Sequence, residues 1–76
     1  MDILEIMAET DRLANMIKPL GWSWAEVSYT AGAYPWRFTF GGIGRSPVLI
    51  QGESLADAIE KARRWISAGT PHAGNA

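Results

Sequence analysis

The sequence predicts an α+β fold. Its form is a two-layer sandwich in the order helix, three-stranded antiparallel meander, helix (αβββα), with both helices on one face of the sheet. Three observations predict it. A segment near each end repeats apolar residues at helical spacing. Between them, short β-rich segments are separated by Gly- and Pro-containing turn signals. The connections are short, so consecutive strands pair antiparallel, and two helices with one apolar stripe each must share a sheet face.

The first helix is expected over residues 2–18. Ile3, Ile6, Met7, Thr10, Leu13, Ala14 and Ile17 fall on one face. Asp2 and Glu5 have capping-box spacing, and the acidic residues Asp2, Glu5, Glu9 and Asp11 precede Arg12 and Lys18, an order that suits the helix dipole. Pro19 cannot continue the helix and Gly21 suits its exit. Residues 22–31 alternate: Ala25, Val27, Tyr29 and Ala31 form one set, and Trp22, Trp24, Glu26, Ser28 and Thr30 the other. Gly32-Ala33-Tyr34-Pro35 marks a turn of about four residues, after which Trp36, Phe38 and Phe40 alternate with Arg37 and Thr39. Gly41-Gly42-Ile43-Gly44-Arg45 reads as a second breaker, and Val48–Gln51 as a short third strand with Pro47 at its start. Ser54 and Asp57 cap a second helix whose stripe is Leu55, Ala58, Ile59, Ala62 and Ile66, bordered by Trp65 and stopped by Gly69 and Pro71. Residues 1–69 are therefore expected to form one αβββα domain and 70–76 a flexible C-terminal tail.

Composition bounds what such a domain can do. In 76 residues there is no cysteine and one histidine, with a formal charge of −1. A disulfide framework, a thiol nucleophile and a zinc-thiolate site are excluded. No apolar run approaches the roughly 20 residues of a membrane span. The start Met1-Asp2-Ile3-Leu4-Glu5 lacks the pattern of a signal peptide, so the expected location is the cytoplasm. A chain of this size buries only about 60% of its unfolded surface, so its core is thin. Its four tryptophans are one answer to that shortage and oligomerisation is another.

No motif assembles a catalytic, cofactor or metal site. The glycine cluster invites a phosphate-loop reading, but it joins two strands and no Lys-Ser/Thr follows it. A catalytic histidine needs a defined position and an orienting carboxylate, whereas His72 falls in a Gly/Pro-flanked stretch after the second helix and is expected to be solvated. The pairs Asp57/Glu60 and Glu5/Glu9 share helix faces, as solvated carboxylates commonly do. The expectation is a protein that is not an enzyme and holds no cofactor or metal. Lys61, Arg63 and Arg64, with Arg37 and Arg45, form a candidate nucleic-acid-binding set. The plainer reading is dipole complementarity, with Asp57–Lys61 and Glu60–Arg64 pairing along the helix.

The sheet offers a candidate partner surface. If Ala25, Val27 and Tyr29 face the helices, then Trp22 and Trp24 share the uncovered face with Glu26, Ser28, Arg37, Thr39, Leu49 and Gln51. The expected partner-binding residues are Trp22, Trp24 and Arg37, with Tyr34 and Trp36 from the hairpin loop. The alternative is that Trp22 and Trp24 fold over the sheet edge onto Leu20, as core. An exposed edge strand offers a second route, by strand addition or a homodimer.

The element order is similar to the double-stranded RNA-binding domain, which implies RNA contact through the second helix. This chain departs there, with Glu53-Ser54-Leu55-Ala56-Asp57 where that family carries a basic start. The stretch Gly52–Ala62 resembles the strand-to-helix step of antitoxin domains of the HicB type. In style, a tiny cysteine-free domain with surplus aromatics resembles phage and mobile-element accessory proteins, anti-CRISPR inhibitors among them. The expected function is a small non-enzymatic module that binds or occludes a protein partner. The alternative is a nucleic-acid-binding module of double-stranded-RNA-binding topology.

Overall fold

The computed structural model describes residues 2–68. The elements are α1 (Ile3–Ile17), a 3₁₀ turn (Lys18–Leu20), β1 (Trp24–Tyr29), β2 (Trp36–Gly42), β3 (Arg45–Gly52) and α2 (Leu55–Ser67). The strands form one antiparallel sheet in the order β1-β2-β3, and both helices pack on it, so the αβββα sandwich stands. The expectations for Gly69, Pro71, His72 and the tail lie outside the described residues. No helix among the described residues is long and apolar enough to cross a membrane.

The caps follow the sequence. The Asp2 carboxylate accepts from the Glu5 N–H at 2.9 Å and opens α1. The Ser54 hydroxyl accepts from the Asp57 N–H at 3.0 Å and opens α2. The Asp57 carboxylate reaches back to accept from the Glu53 N–H at 3.0 Å, a reciprocal arrangement of the capping-box kind. Every residue of the predicted α2 stripe is buried, and Trp65 borders it.

The core lies between the helices and β2. Phe38 and Phe40 are fully buried, as are Leu13 and Ile17 of α1. Phe38 and Phe40 stack at 6.4 Å, Phe40 stacks on Trp65 at 5.0 Å, and Trp65 meets Trp22 edge-on at 5.5 Å. A run of aromatic rings thus links β2, α2 and the segment before β1.

Four expectations need correcting. Ile3 and Met7 are exposed, because they lie on the flank of α1 turned away from α2, beyond the Leu13 and Ile17 positions that enter the core. The β1–β2 loop runs from Thr30 to Pro35, longer than four residues, and Thr30 N–H closes it onto the Pro35 carbonyl at 2.9 Å. Gly41 and Gly42 do not break the sheet but end β2 within it; the turn is Ile43-Gly44, with Gly44 at φ +73°. β3 accordingly starts at Arg45, and the register shifts between Phe40 and Gly42, setting Ser46 and Pro47 against Gly41. Pro47 sits at this bulge on an edge strand, where no ladder hydrogen bond needs its missing N–H.

Candidate partner surface

The registers place the side chains of the uncovered sheet face on a grid. Ser28, Arg37 and Gln51 lie abreast, then Glu26, Thr39 and Leu49, then Trp24 and Gly41. The alternation that buries Phe38 and Phe40 sends Arg37 and Thr39 the other way, as the sequence indicates. Trp24 is 44% exposed and Leu49 is 50% exposed. The Trp24 indole lies across Gly41, where a Cβ would collide with the ring. Gly41 is therefore the residue that lets Trp24 lie down on the sheet. Sequence reasoning missed it, because the signal is a cross-strand pairing and not a local pattern.

Trp22 is not on this face. It is 6% exposed and belongs to the core. The strand begins only at Trp24, so the alternation does not extend back to Trp22. Gly21 adopts φ +93°, a left-handed turn after the 3₁₀ turn, and the Trp22 N–H donates to the Ile17 carbonyl at 3.3 Å. This turn carries the indole under α2 against Trp65, and the Arg45 guanidinium covers its other side at 4.7 Å from the ring centroid. The Trp22 Nε1 and Arg45 Nη1 are shielded there without a hydrogen-bond partner among the described residues.

Tyr34 and Trp36 stand apart from Trp24 and Arg37. Trp36 is on the helix-facing side, half-buried, with Tyr29 edge-on to it at 5.1 Å. Tyr34 is exposed in the loop, with the Lys61 ammonium of α2 5.5 Å from its ring centre. The five expected partner residues thus divide into a core residue (Trp22), an uncovered-face pair (Trp24 and Arg37), a loop residue (Tyr34) and Trp36, which opens β2 on the helix side and is not part of the loop.

The candidate nucleic-acid set is engaged within the domain. Lys61 pairs with Asp57 at 3.1 Å and Arg64 with Glu60 at 3.3 Å, both along α2 as the spacing indicates. Arg63 crosses to Glu9 of α1 at 3.0 Å, and Arg12 also pairs with Glu9. Arg45 stacks on Trp22. Arg37 differs, since among the described residues no carboxylate pairs with it and its shielded Nε has no hydrogen-bond partner. No group of three or more His, Asp or Glu side chains suited to a metal gathers among the described residues.

Comparisons with protein-family models, with curated proteins and with solved structures find no match to this chain.

Proposed function

We propose that the protein is a small non-enzymatic interaction module that binds or occludes a protein partner through the uncovered sheet face, centred on Trp24, Leu49 and Arg37. The observation that carries this reading is the pairing of exposed apolar side chains with an unpaired arginine on a rigid central strand. Trp24 and Leu49 are each about half exposed on a face that no helix among the described residues covers. Tryptophan and arginine are the side chains that most often anchor protein interfaces. Arg37 loses little freedom on binding, since β2 is paired on both sides and its Nε is already shielded. A partner carboxylate would pair with the outer N–H groups of the Arg37 guanidinium, which no carboxylate of the described residues engages. The style of the domain fits an inhibitor or accessory protein of a phage or mobile element, which acts by covering a surface and needs no catalytic site of its own. The α2 cations give the nucleic-acid reading less support, because each already faces a carboxylate.

The test is affinity capture from the native host with the parent chain and three variants. Trp24→Ala and Arg37→Ala are expected to stay folded and to lose the captured partner. Arg64→Ala, on the far side of α2, is expected to retain it. Folded Trp24→Ala and Arg37→Ala variants that hold the same partner as the parent would remove the reading.

A further inference from the structure

We infer that the free edge of β1 seats a second copy of this chain, with β1 pairing antiparallel to β1 of the partner about a two-fold axis at Val27. The observations are separate from those for the uncovered face. The sheet order leaves two edges, β1 and β3. The β3 edge is guarded by Pro47 and by the register shift beside it, the devices that keep sheet edges from pairing. The β1 edge has neither: from Trp24 to Tyr29 its register with β2 is continuous, and the segment contains no proline and no lysine.

The ladder says which groups are free. Thr30 N–H donates to the Pro35 carbonyl, and Thr30 is opposite Pro35 in the β1–β2 register. Hydrogen-bonding direction alternates along an antiparallel strand. Trp24, Glu26 and Ser28 therefore turn their backbone groups to β2, and Ala25, Val27 and Tyr29 turn theirs to the open edge. None of these three makes a turn, loop or cap backbone hydrogen bond among the described residues.

The segment is self-complementary in one register. With Val27 opposite the partner's Val27, Ala25 falls opposite the partner's Tyr29, and all the outward groups meet outward groups. Tyr29, 61% exposed, lies beside a small residue. Glu26 falls opposite the partner's Ser28. The competing two-fold centred on Glu26 sets two carboxylates face to face at the closer spacing of about 4.5 Å, which disfavours it.

The helix above this edge is unfinished on the same side. α1 packs on β1, and α2 packs on β2 and β3. Glu9 points from α1 towards α2, where it meets Arg63. At roughly 100° per residue, the order around α1 from Glu9 is Leu13 and Ile17, which enter the core, then Ile3 and Met7, about 120° and 160° round. Ile3 and Met7 thus occupy the flank away from α2, over the β1 edge, and are 71% and 56% exposed. A second copy joined at β1 brings its own α1 alongside and covers this flank, so one two-fold contact satisfies the free backbone edge and the exposed apolar residues together.

The experiment is amide exchange by NMR alongside solution mass, on the parent chain, from low concentration up to about 1 mM. The expected result is a rise in mass towards the dimer, with the amides of Ala25, Val27 and Tyr29 slowing by about tenfold or more while those of Glu26 and Ser28 are protected throughout. Met7→Glu, at an exposed position, is expected to shift the dimer to higher concentration without altering the fold. A chain that stays monomeric across the range overturns the inference. So does a dimer in which those three amides still exchange freely, which would place the contact elsewhere.

Discussion

Trp22 and Trp24 are separated by one residue, yet one lies in the core and the other on the uncovered face. Their alternating strand pattern is legible in the sequence from Trp24 onward. It fails one step earlier because Gly21 turns the chain before the strand starts. The difference has a measurable consequence. Trp22→Ala removes a ring packed between Trp65 and Arg45 and is expected to cost about 3–5 kcal/mol, close to the full margin of a small domain. Such a variant is expected to lack a cooperative thermal transition by circular dichroism. Trp24→Ala leaves no core cavity and is expected to melt within roughly 8 °C of the parent. Arg63→Ala breaks a surface pair with Glu9 and is expected to change stability by about 1 kcal/mol or less in a urea titration.

Among the elements, α2 is the one whose start is most fully specified. Asp57 accepts from the Glu53 N–H and pairs with Lys61, and these, in that order of weight, hold its carboxyl below the ordinary aspartate range. A pKa lower in the folded than in the unfolded chain stabilises the fold above the unfolded value of about 3.9, and that contribution is lost as pH falls through the folded value. Melts between about pH 2 and 6 are expected to show the parent losing stability at the acid end, and Asp57→Asn losing less over the same interval. The passage from β3 to α2 depends on Gly52. A Cβ there would sit 2.7 Å from the Ala58 Cα, against helix backbone that cannot step aside. Gly52→Ala is expected to cost about 1–3 kcal/mol, read as a lower urea midpoint. Both helices, their N-caps and the α2 stripe are legible in the sequence, because each is set by residues within a few positions of one another. The β2–β3 turn is not. Its glycines look like breakers until the β1 register puts Trp24 over Gly41 and keeps that position in the sheet.

At the scale of the whole molecule, coverage is uneven. α2 buries its entire stripe, whereas α1 buries Leu13 and Ile17 and leaves Ile3, Leu4 and Met7 in solvent. The sheet has one face under the helices, one face open, one guarded edge and one bare edge. The two surfaces proposed for contact, the uncovered face and the β1 edge, are what this distribution leaves unused. They are separable in solution: Trp24→Ala addresses the first and Met7→Glu the second.

By itself the sequence determined the order of elements, the helix N-caps, the α2 stripe and the faces on which Arg37, Phe38 and Phe40 emerge. These are properties of local period and spacing, encoded over a turn of helix or a few residues of strand. The tertiary structure alone decided that Trp22 is core, that Gly41 lies beneath Trp24, that Arg45 caps an indole and that Ile3 and Met7 of α1 stay exposed. Each depends on which segments cross and at what register, and no repeat in the chain carries that information. The four tryptophans that mark the composition are accordingly spread over three environments: Trp22 is buried, Trp36 and Trp65 are half-buried at the core's border, and Trp24 is left on the open face.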